Sequence, residues 1–197
     1  MLPTKVIFLD FDGVVSTHKY KFHLDPSKVK MVNSICLFAS AKIIVSSSWK
    51  MGCTDVAHFK DWMEKAFLTQ EIRERNREVF DEFLNNIFDI TNGVGSMRGD
   101  EIRDYLLKHD QIEHYVILDD DSDMLEEQLF NFVQTDTYEG ITQREVGLCD
   151  TILHGEEVIN PIRLNLVLTT AWRNKYRGDK DEINIDALLM KYRNRES

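Results

Sequence analysis

A short apolar strand that ends in two carboxylates and a glycine is the feature that most constrains this chain. Residues 6–9 are apolar, and the sequence Asp-Phe-Asp-Gly follows at 10–13. Because side chains at positions i and i+2 of an extended segment point the same way, Asp10 and Asp12 are expected to converge. Adjacent carboxylates repel each other unless they share a cation or a proton. Mg²⁺ suits such a pair, and Gly13 allows the tight turn that a close ligand needs; the segment alone also fits a turn with solvated aspartates.

Three further segments carry polar side chains at the ends of predicted elements. Residues 42–49 are predicted to form a second buried strand that ends in hydroxyls, where Ser46 and the N–H groups after it can donate to phosphoryl oxygens. Arg98 begins a predicted helix, at the helix end that favours anions. Residues 115–118 are predicted to form another buried strand, followed by the acidic cluster 119–123. In an open parallel sheet these groups meet at the carboxyl edge, where such folds bind ligands.

Strands that alternate with helices predict an α/β fold with a doubly wound, Rossmann-like parallel sheet and helices on both faces. Asp25 is the predicted cap of the first helix, and Pro26 occupies its favoured first position. Helices are predicted at about 26–39, 54–87, 98–109, 122–129 and 142–154, with short strands at 88–90 and 130–134.

The four segments, in this order, resemble the four motifs of the haloacid dehalogenase (HAD) phosphohydrolase superfamily. The sequences at 45–50, 98–102 and 116–121 are similar to the HAD domains of Swiss-army-knife RNA-repair proteins. The resemblance covers roughly residues 4–155. It implies a HAD-like fold, and because residues 13–25 and 88–97 are too few for a large cap domain, an open site is expected.

The resemblance also implies catalytic roles. Asp10 would attack phosphorus and form an aspartyl-phosphate, while Asp12 would protonate the leaving oxygen and then activate water. Ser46 and Arg98 would hold the transferring phosphoryl oxygens, with Gly13 and Ser47 also at the phosphate. Arg98 stands where many superfamily members have lysine, which keeps the charge but changes the geometry.

Mg²⁺ is the cofactor that the resemblance implies. Asp10, the carbonyl oxygen of Asp12 and Asp119 would bind it, and Asp120 would bind it directly or through water. The crowded acidic cluster leaves open whether Asp120, Asp121 or Asp123 is the second acidic metal residue.

The substrate is predicted only by class. An open site suits bulky substrates such as nucleic-acid ends or proteins. A nucleotide or polynucleotide-end phosphate is the first prediction, a small-metabolite or phosphoprotein phosphate is the second, and a binding or regulatory module without turnover is the alternative class. A basic and aromatic flap, with His18, Lys19 and Lys21, is a candidate substrate contact; the alternative is an exposed flap whose rings shield its own base.

Composition excludes several partners. The net charge of −10 opposes non-specific binding to long nucleic acid. No apolar run approaches the ~18 residues of a membrane span, and the start lacks a signal-peptide pattern. Three cysteines without metal-ligand spacing indicate free thiols, so a cytoplasmic location is expected. The oligomeric state is not predicted.

Two regions are predicted along the chain: a phosphatase domain at 1–157 and an extension at 158–197. In the extension, residues 164–173 parallel residues 41–50, with an apolar strand, hydroxyls, tryptophan and a cation. A degenerate repeat and an extra strand and helix docked on the sheet edge are the two interpretations.

Overall fold

The computed structural model describes residues 2–17, 23–66, 70–93 and 97–155, which lie in one compact unit, Met1–Glu157. In this part of the chain, five parallel strands form one sheet in the order β3-β2-β1-β4-β5. The strands are β1 (Lys5–Leu9), β2 (Lys42–Val45), β3 (Ile87–Ile90), β4 (His114–Asp119) and β5 (Phe132–Gln134). The helices are α1 (Pro26–Ala39), α2 (Val56–Ala66), α3 (Gln70–Asn86), α4 (Arg98–Leu107) and α5 (Gln143–Leu153).

Helices cover both faces of the sheet, so its central strand is buried on both sides. Ile7 and Leu9 belong to the core that α1 and α3 share, and α1 packs against α3 and α5. Phe8 points the opposite way and meets Tyr105 of α4 edge-on, with ring centroids 5.7 Å apart. The predicted α/β fold with a doubly wound parallel sheet is therefore confirmed.

Two helix starts follow from local sequence. The Asp25 carboxylate accepts the main-chain N–H of Ser27 at 2.8 Å, so α1 begins where its cap predicts. At α5, Thr142 and Glu145 form a reciprocal capping box. Short-range side-chain chemistry sets both boundaries.

The helix predicted over residues 122–129 is wrong, since the structure has only a 3₁₀ helix, Glu126–Asn131. This segment contacts α4 instead of forming the predicted helix. The Asp123 carboxylate accepts the main-chain N–H of Arg98 at 3.0 Å. The Gln128 amide donates to the carbonyl of Gly99 at 2.8 Å. Contacts over a distance in sequence thus override local helix propensity.

The long helical stretch predicted over residues 54–87 is two helices, α2 and α3, and α3 has non-helical backbone angles at Asn76. Both helices lie on the long crossover between β2 and β3. The basic flap at 18–22 and the extension at 158–197 lie outside the described residues. Among the described helices, none has the length and apolar character to cross a membrane.

Candidate active site

The carboxyl ends of β1, β2 and β4 lie side by side, and main-chain hydrogen bonds continue the pairing into the residues that follow them. The N–H of Asp10 donates to the carbonyl of Leu118 at 3.0 Å, and the N–H of Ser46 donates to that of Leu9 at 3.0 Å. The strands after β1 extend the sheet first to one side, as β2 and β3, and then to the other side, as β4 and β5. The ends of β1, β2 and β4 therefore flank the topological switch point, where α/β folds bind ligands. Polar residues distant in sequence meet there.

Three carboxylates form the centre of the site. Asp10, Asp119 and Asp120 each offer an oxygen within 4.8 Å of the others. Asp10 and Asp119 are buried, and Asp120 is half-buried. Gly13, at φ 68°, makes room for this arrangement, because a Cβ at that position would lie 2.2 Å from the Asp120 carboxyl group. Gly13 is therefore needed both for the tight turn of the first motif and for the space that the Asp120 side chain occupies.

Arg98 is the cation of this cluster. Its Nη2 lies 3.3 Å from Asp10 Oδ1, and its Nε lies 3.5 Å from Asp119 Oδ2. It stands at the first position of α4, and its own main-chain N–H donates to the Asp123 carboxylate at 3.0 Å. One guanidinium thus contacts carboxylates from two neighbouring strands and leaves the site rich in negative charge.

The pKa values of the three carboxyl groups are all raised. Burial raises the pKa of Asp10, and Arg98 offsets only part of that effect. The pKa of Asp119 lies well above its ordinary value because of burial and, next, the charge of Asp10. Burial also raises the pKa of Asp120. Carboxylates that are this hard to ionise together favour a shared cation, and an all-oxygen cluster suits Mg²⁺.

The acidic run after β4 divides into distinct positions. Asp120 belongs to the carboxylate cluster, whereas Asp121 is exposed. Asp123 caps α4 by accepting the N–H of Arg98. Of the three candidates for the second acidic metal residue, the geometry brings Asp120 to Asp10 and Asp119.

The two serines after β2 are both fully buried beside the cluster. The Ser47 hydroxyl makes a hydrogen bond to the carboxylate of Asp10. Ser46 Oγ has no hydrogen-bond partner among the described residues. A buried hydroxyl without a partner costs free energy, and a phosphoryl oxygen would satisfy it.

Asp12 is half-buried, and it is not part of the side-chain cluster of possible metal ligands. Its Oδ2 accepts the indole N–H of Trp49 at 2.8 Å. Its Oδ1 is buried and has no partner among the described residues. Its main-chain carbonyl, not its carboxylate, is the predicted metal ligand, which leaves the side chain for a different task.

Sequence reasoning missed a buried ion pair beneath the serines. Lys50 Nζ lies 2.9 Å from Glu101 Oε2, and each side chain is 8% exposed. The same ammonium approaches the carbonyls of Ser46 and Ser47 at 3.5 and 3.4 Å. Glu101 lies one turn after Arg98, so the pair ties the serine segment to the helix that carries the cation. A lysine right after the hydroxyl motif was the only sequence signal, and nothing local paired it with Glu101.

The predicted substrate contacts His18, Lys19 and Lys21 lie outside the described residues. The other predicted site residues converge at the carboxyl edge: Asp10, Asp12, Gly13, Ser46, Ser47, Arg98, Asp119 and Asp120.

A parallel α/β sheet that presents acid, hydroxyl, cation and acid at one edge defines the class of HAD-type phosphohydrolases. The family model described as the HAD domain in Swiss Army Knife RNA repair proteins matches residues 6–146. That match covers more than half of the chain, so the chain belongs to this family. A search of curated proteins and a search of solved structures returned no match.

Proposed function

We propose that the protein is a Mg²⁺-dependent phosphomonoester hydrolase that acts through an aspartyl-phosphate on a nucleotide or polynucleotide-end phosphate. The observation that carries the proposal is the placement of Arg98 against Asp10 within the cluster of Asp10, Asp119 and Asp120. An anionic nucleophile approaches a phosphate dianion only where positive charge offsets their repulsion. The carboxylate cluster can hold a metal cation, and the Arg98 guanidinium supplies a further positive charge.

The donor set fits Mg²⁺. Asp10, Asp119 and Asp120 would hold it, together with the carbonyl oxygen of Asp12. Bound there, the cation would neutralise charge on the phosphoryl oxygens and relieve the repulsion among the carboxylates.

The reaction divides into two displacements at phosphorus. In the first, a carboxylate oxygen of Asp10 bonds to phosphorus, the bond from phosphorus to the leaving oxygen breaks, and Asp12 gives that oxygen a proton. In the second, Asp12 takes a proton from water as the water oxygen bonds to phosphorus. The bond to Asp10 then breaks, which releases inorganic phosphate and restores both carboxyl groups.

The chain's own donors would hold the phosphoryl group. The Arg98 guanidinium lies beside Asp10. The Ser46 hydroxyl has no partner among the described residues, and the Ser46 main chain pairs with Leu9, the residue before Asp10. Because positions fixed before the reaction need no reorganisation during it, such donors stabilise the transition state more than the ground state. Ser47 orients Asp10 through its hydrogen bond.

A substrate with a nucleobase fits the surroundings of the site. Exposed apolar side chains stand on three segments that carry site residues: Met51 follows Lys50, Met97 precedes Arg98, and Tyr138 follows Thr137, whose hydroxyl bonds Asp120 at 2.8 Å. Bases stack on aromatic side chains, and methionine adapts to such rings. The net charge of −10 favours a terminal phosphate over a long stretch of backbone. The family's description, a HAD domain in RNA repair proteins, points the same way.

The test is a phosphate-release panel with and without Mg²⁺. It compares nucleotides, oligonucleotides phosphorylated at the 3′ or 5′ end, sugar phosphates and phosphopeptides. Asp10→Asn should lower turnover at least about 1,000-fold, as loss of a nucleophile does, while Asp121→Asn, a matched change at an exposed aspartate, should retain it. Full activity in Asp10→Asn would refute the nucleophile, and no turnover on any substrate would favour the binding module. Preference for sugar phosphates or phosphopeptides would replace the substrate class.

A further inference from the structure

The segment after β2 holds both carboxylates of the first motif. Ser47 makes a hydrogen bond to Asp10, and Trp49 donates its indole N–H to Asp12 Oδ2 at 2.8 Å. Ser47 and Trp49, two residues apart on the segment after β2, thus bind the two carboxylates that are two residues apart on the segment after β1. Each proposed catalytic carboxylate has its own partner.

The Trp49 ring is itself fixed by packing. It meets Phe11 nearly edge-on at 5.2 Å and Trp62 edge-on at 6.3 Å. Its main-chain N–H donates to Ser47 Oγ at 3.3 Å. Because Phe11 lies between the two carboxylates in sequence, the ring that binds Asp12 also packs on the loop that carries it. The indole N–H is therefore a rigid donor.

The two oxygens of Asp12 have different surroundings. Oδ2 accepts the indole N–H, whereas Oδ1 is buried without a partner in the part of the chain that the structure describes. An indole N–H donates and cannot accept. A proton on Asp12 is consequently directed to Oδ1, the oxygen left for the substrate.

We propose that Trp49 is a positioning residue that holds the Asp12 carboxylate so that Oδ1 exchanges the proton with the leaving oxygen and then with water. The proposal rests on the proposed function and deepens it by one residue. In the first displacement, the proton moves from Oδ1 to the leaving oxygen as its bond to phosphorus breaks. In the second, Oδ1 takes a proton from the attacking water. Trp49 keeps its own proton throughout.

The test compares two leaving groups in Trp49→Phe, which keeps an aromatic ring and removes the N–H. An alkyl phosphate needs its leaving oxygen protonated, whereas p-nitrophenyl phosphate does not. Since kcat/KM reports the first displacement, it should fall about 10- to 100-fold for the alkyl phosphate, within the range of general acid catalysis. For p-nitrophenyl phosphate it should change less than about threefold. In Trp49→Phe, the second displacement still needs Asp12 as a base and should be slowed, whereas the first displacement of p-nitrophenol is not. Phosphoenzyme should therefore accumulate on p-nitrophenyl phosphate, which is visible as a burst of p-nitrophenol.

Trp62→Phe is the packing control, since Trp62 contacts the Trp49 ring; it should leave the ratio of the two kcat/KM values unchanged. In an Asp12→Asn background, Trp49→Phe should have no further effect on the alkyl phosphate. The ratio comes from one sample, so it does not depend on the fraction of protein that is folded.

Equal losses on both substrates in Trp49→Phe would overturn the positioning role and leave the hydrolase intact. A further loss in the Asp12→Asn background would overturn it too. Absence of turnover in the unmodified chain would overturn the proposed function and this proposal together.

Discussion

Replacing Asp120 by asparagine is expected to stabilise the metal-free protein, although Asp120 lies at the centre of the site. Asp10, Asp119 and Asp120 lie within 4.8 Å of one another, and the pKa of each is raised. The asparagine oxygen can still accept the Thr137 hydroxyl, which Asp120 accepts at 2.8 Å. The substitution therefore removes a charge and keeps a hydrogen bond.

The expected gain follows from the geometry. At 4.8 Å, the upper limit of these oxygen–oxygen separations, two unit charges repel by about 0.9 kcal/mol in water and by about 3.5 kcal/mol at an effective dielectric constant of about 20. Asp120 faces two such partners and is half-buried, so after solvent screening we expect a gain of about 1–3 kcal/mol. For a chain of this size that raises the melting temperature by about 2–12 °C.

The pH dependence of stability independently predicts that Asp120→Asn stabilises the metal-free protein. A carboxyl group whose pKa is raised in the folded state holds its proton more tightly there than in the unfolded chain. Its contribution to stability is complete below the unfolded pKa, ordinarily 3.8, and is lost as pH rises through the folded pKa. The advantage of Asp120→Asn should therefore grow between acidic and neutral pH.

The assay is thermal unfolding at neutral pH, with EDTA and with Mg²⁺. Mg²⁺ should stabilise the unmodified protein, by about 2.7 kcal/mol at a hundred times its dissociation constant, and should stabilise Asp120→Asn less. Asp121→Asn is the matched control, since Asp121 is exposed and outside the cluster. A lower melting temperature for metal-free Asp120→Asn, or an undiminished response to Mg²⁺, would refute the account of the cluster.

Two further substitutions test the supports of the site. Lys50→Met leaves the Glu101 carboxylate buried without its cation, so we expect a loss of about 3–5 kcal/mol in chemical denaturation; a loss below about 1 kcal/mol would contradict the buried ion pair. Gly13→Ala should weaken the Mg²⁺-induced rise in melting temperature, because the new Cβ meets Asp120, whereas Gly52→Ala, at a similar positive φ but in open space, should not. Equal Mg²⁺ responses in the two alanine variants would contradict that contact.

Local sequence predicted the elements that local chemistry decides. An apolar run and two aspartates defined β1 and its end, and Asp25 with Pro26 defined the start of α1. Strand ends in a parallel sheet share one edge, so Arg98 and the acidic cluster were expected beside Asp10. The structure brings these groups together.

The rest depends on pairings that no local pattern contains. Lys50 and Glu101 are far apart in sequence, and so are Trp49 and Asp12. The choice among the acidic residues after β4 also needed the structure, because Asp123 is removed from the cluster by capping α4. Each of these contacts is decided by which elements pack together, and periodicity carries no information about that.

The unfavourable features of the site share one explanation. Raised carboxyl pKa values favour a bound cation. The Ser46 hydroxyl, which has no partner among the described residues, and the Arg98 guanidinium favour a bound anion. A protein selected for stability alone would have neither. The magnesium ion and phosphate of the proposed function would supply both charges at once, while Lys50 and Trp49 tie the surrounding segments together through Glu101 and Asp12. A carboxylate cluster that lowers stability and fixed contacts around it are the features expected of a site preorganised for phosphoryl transfer.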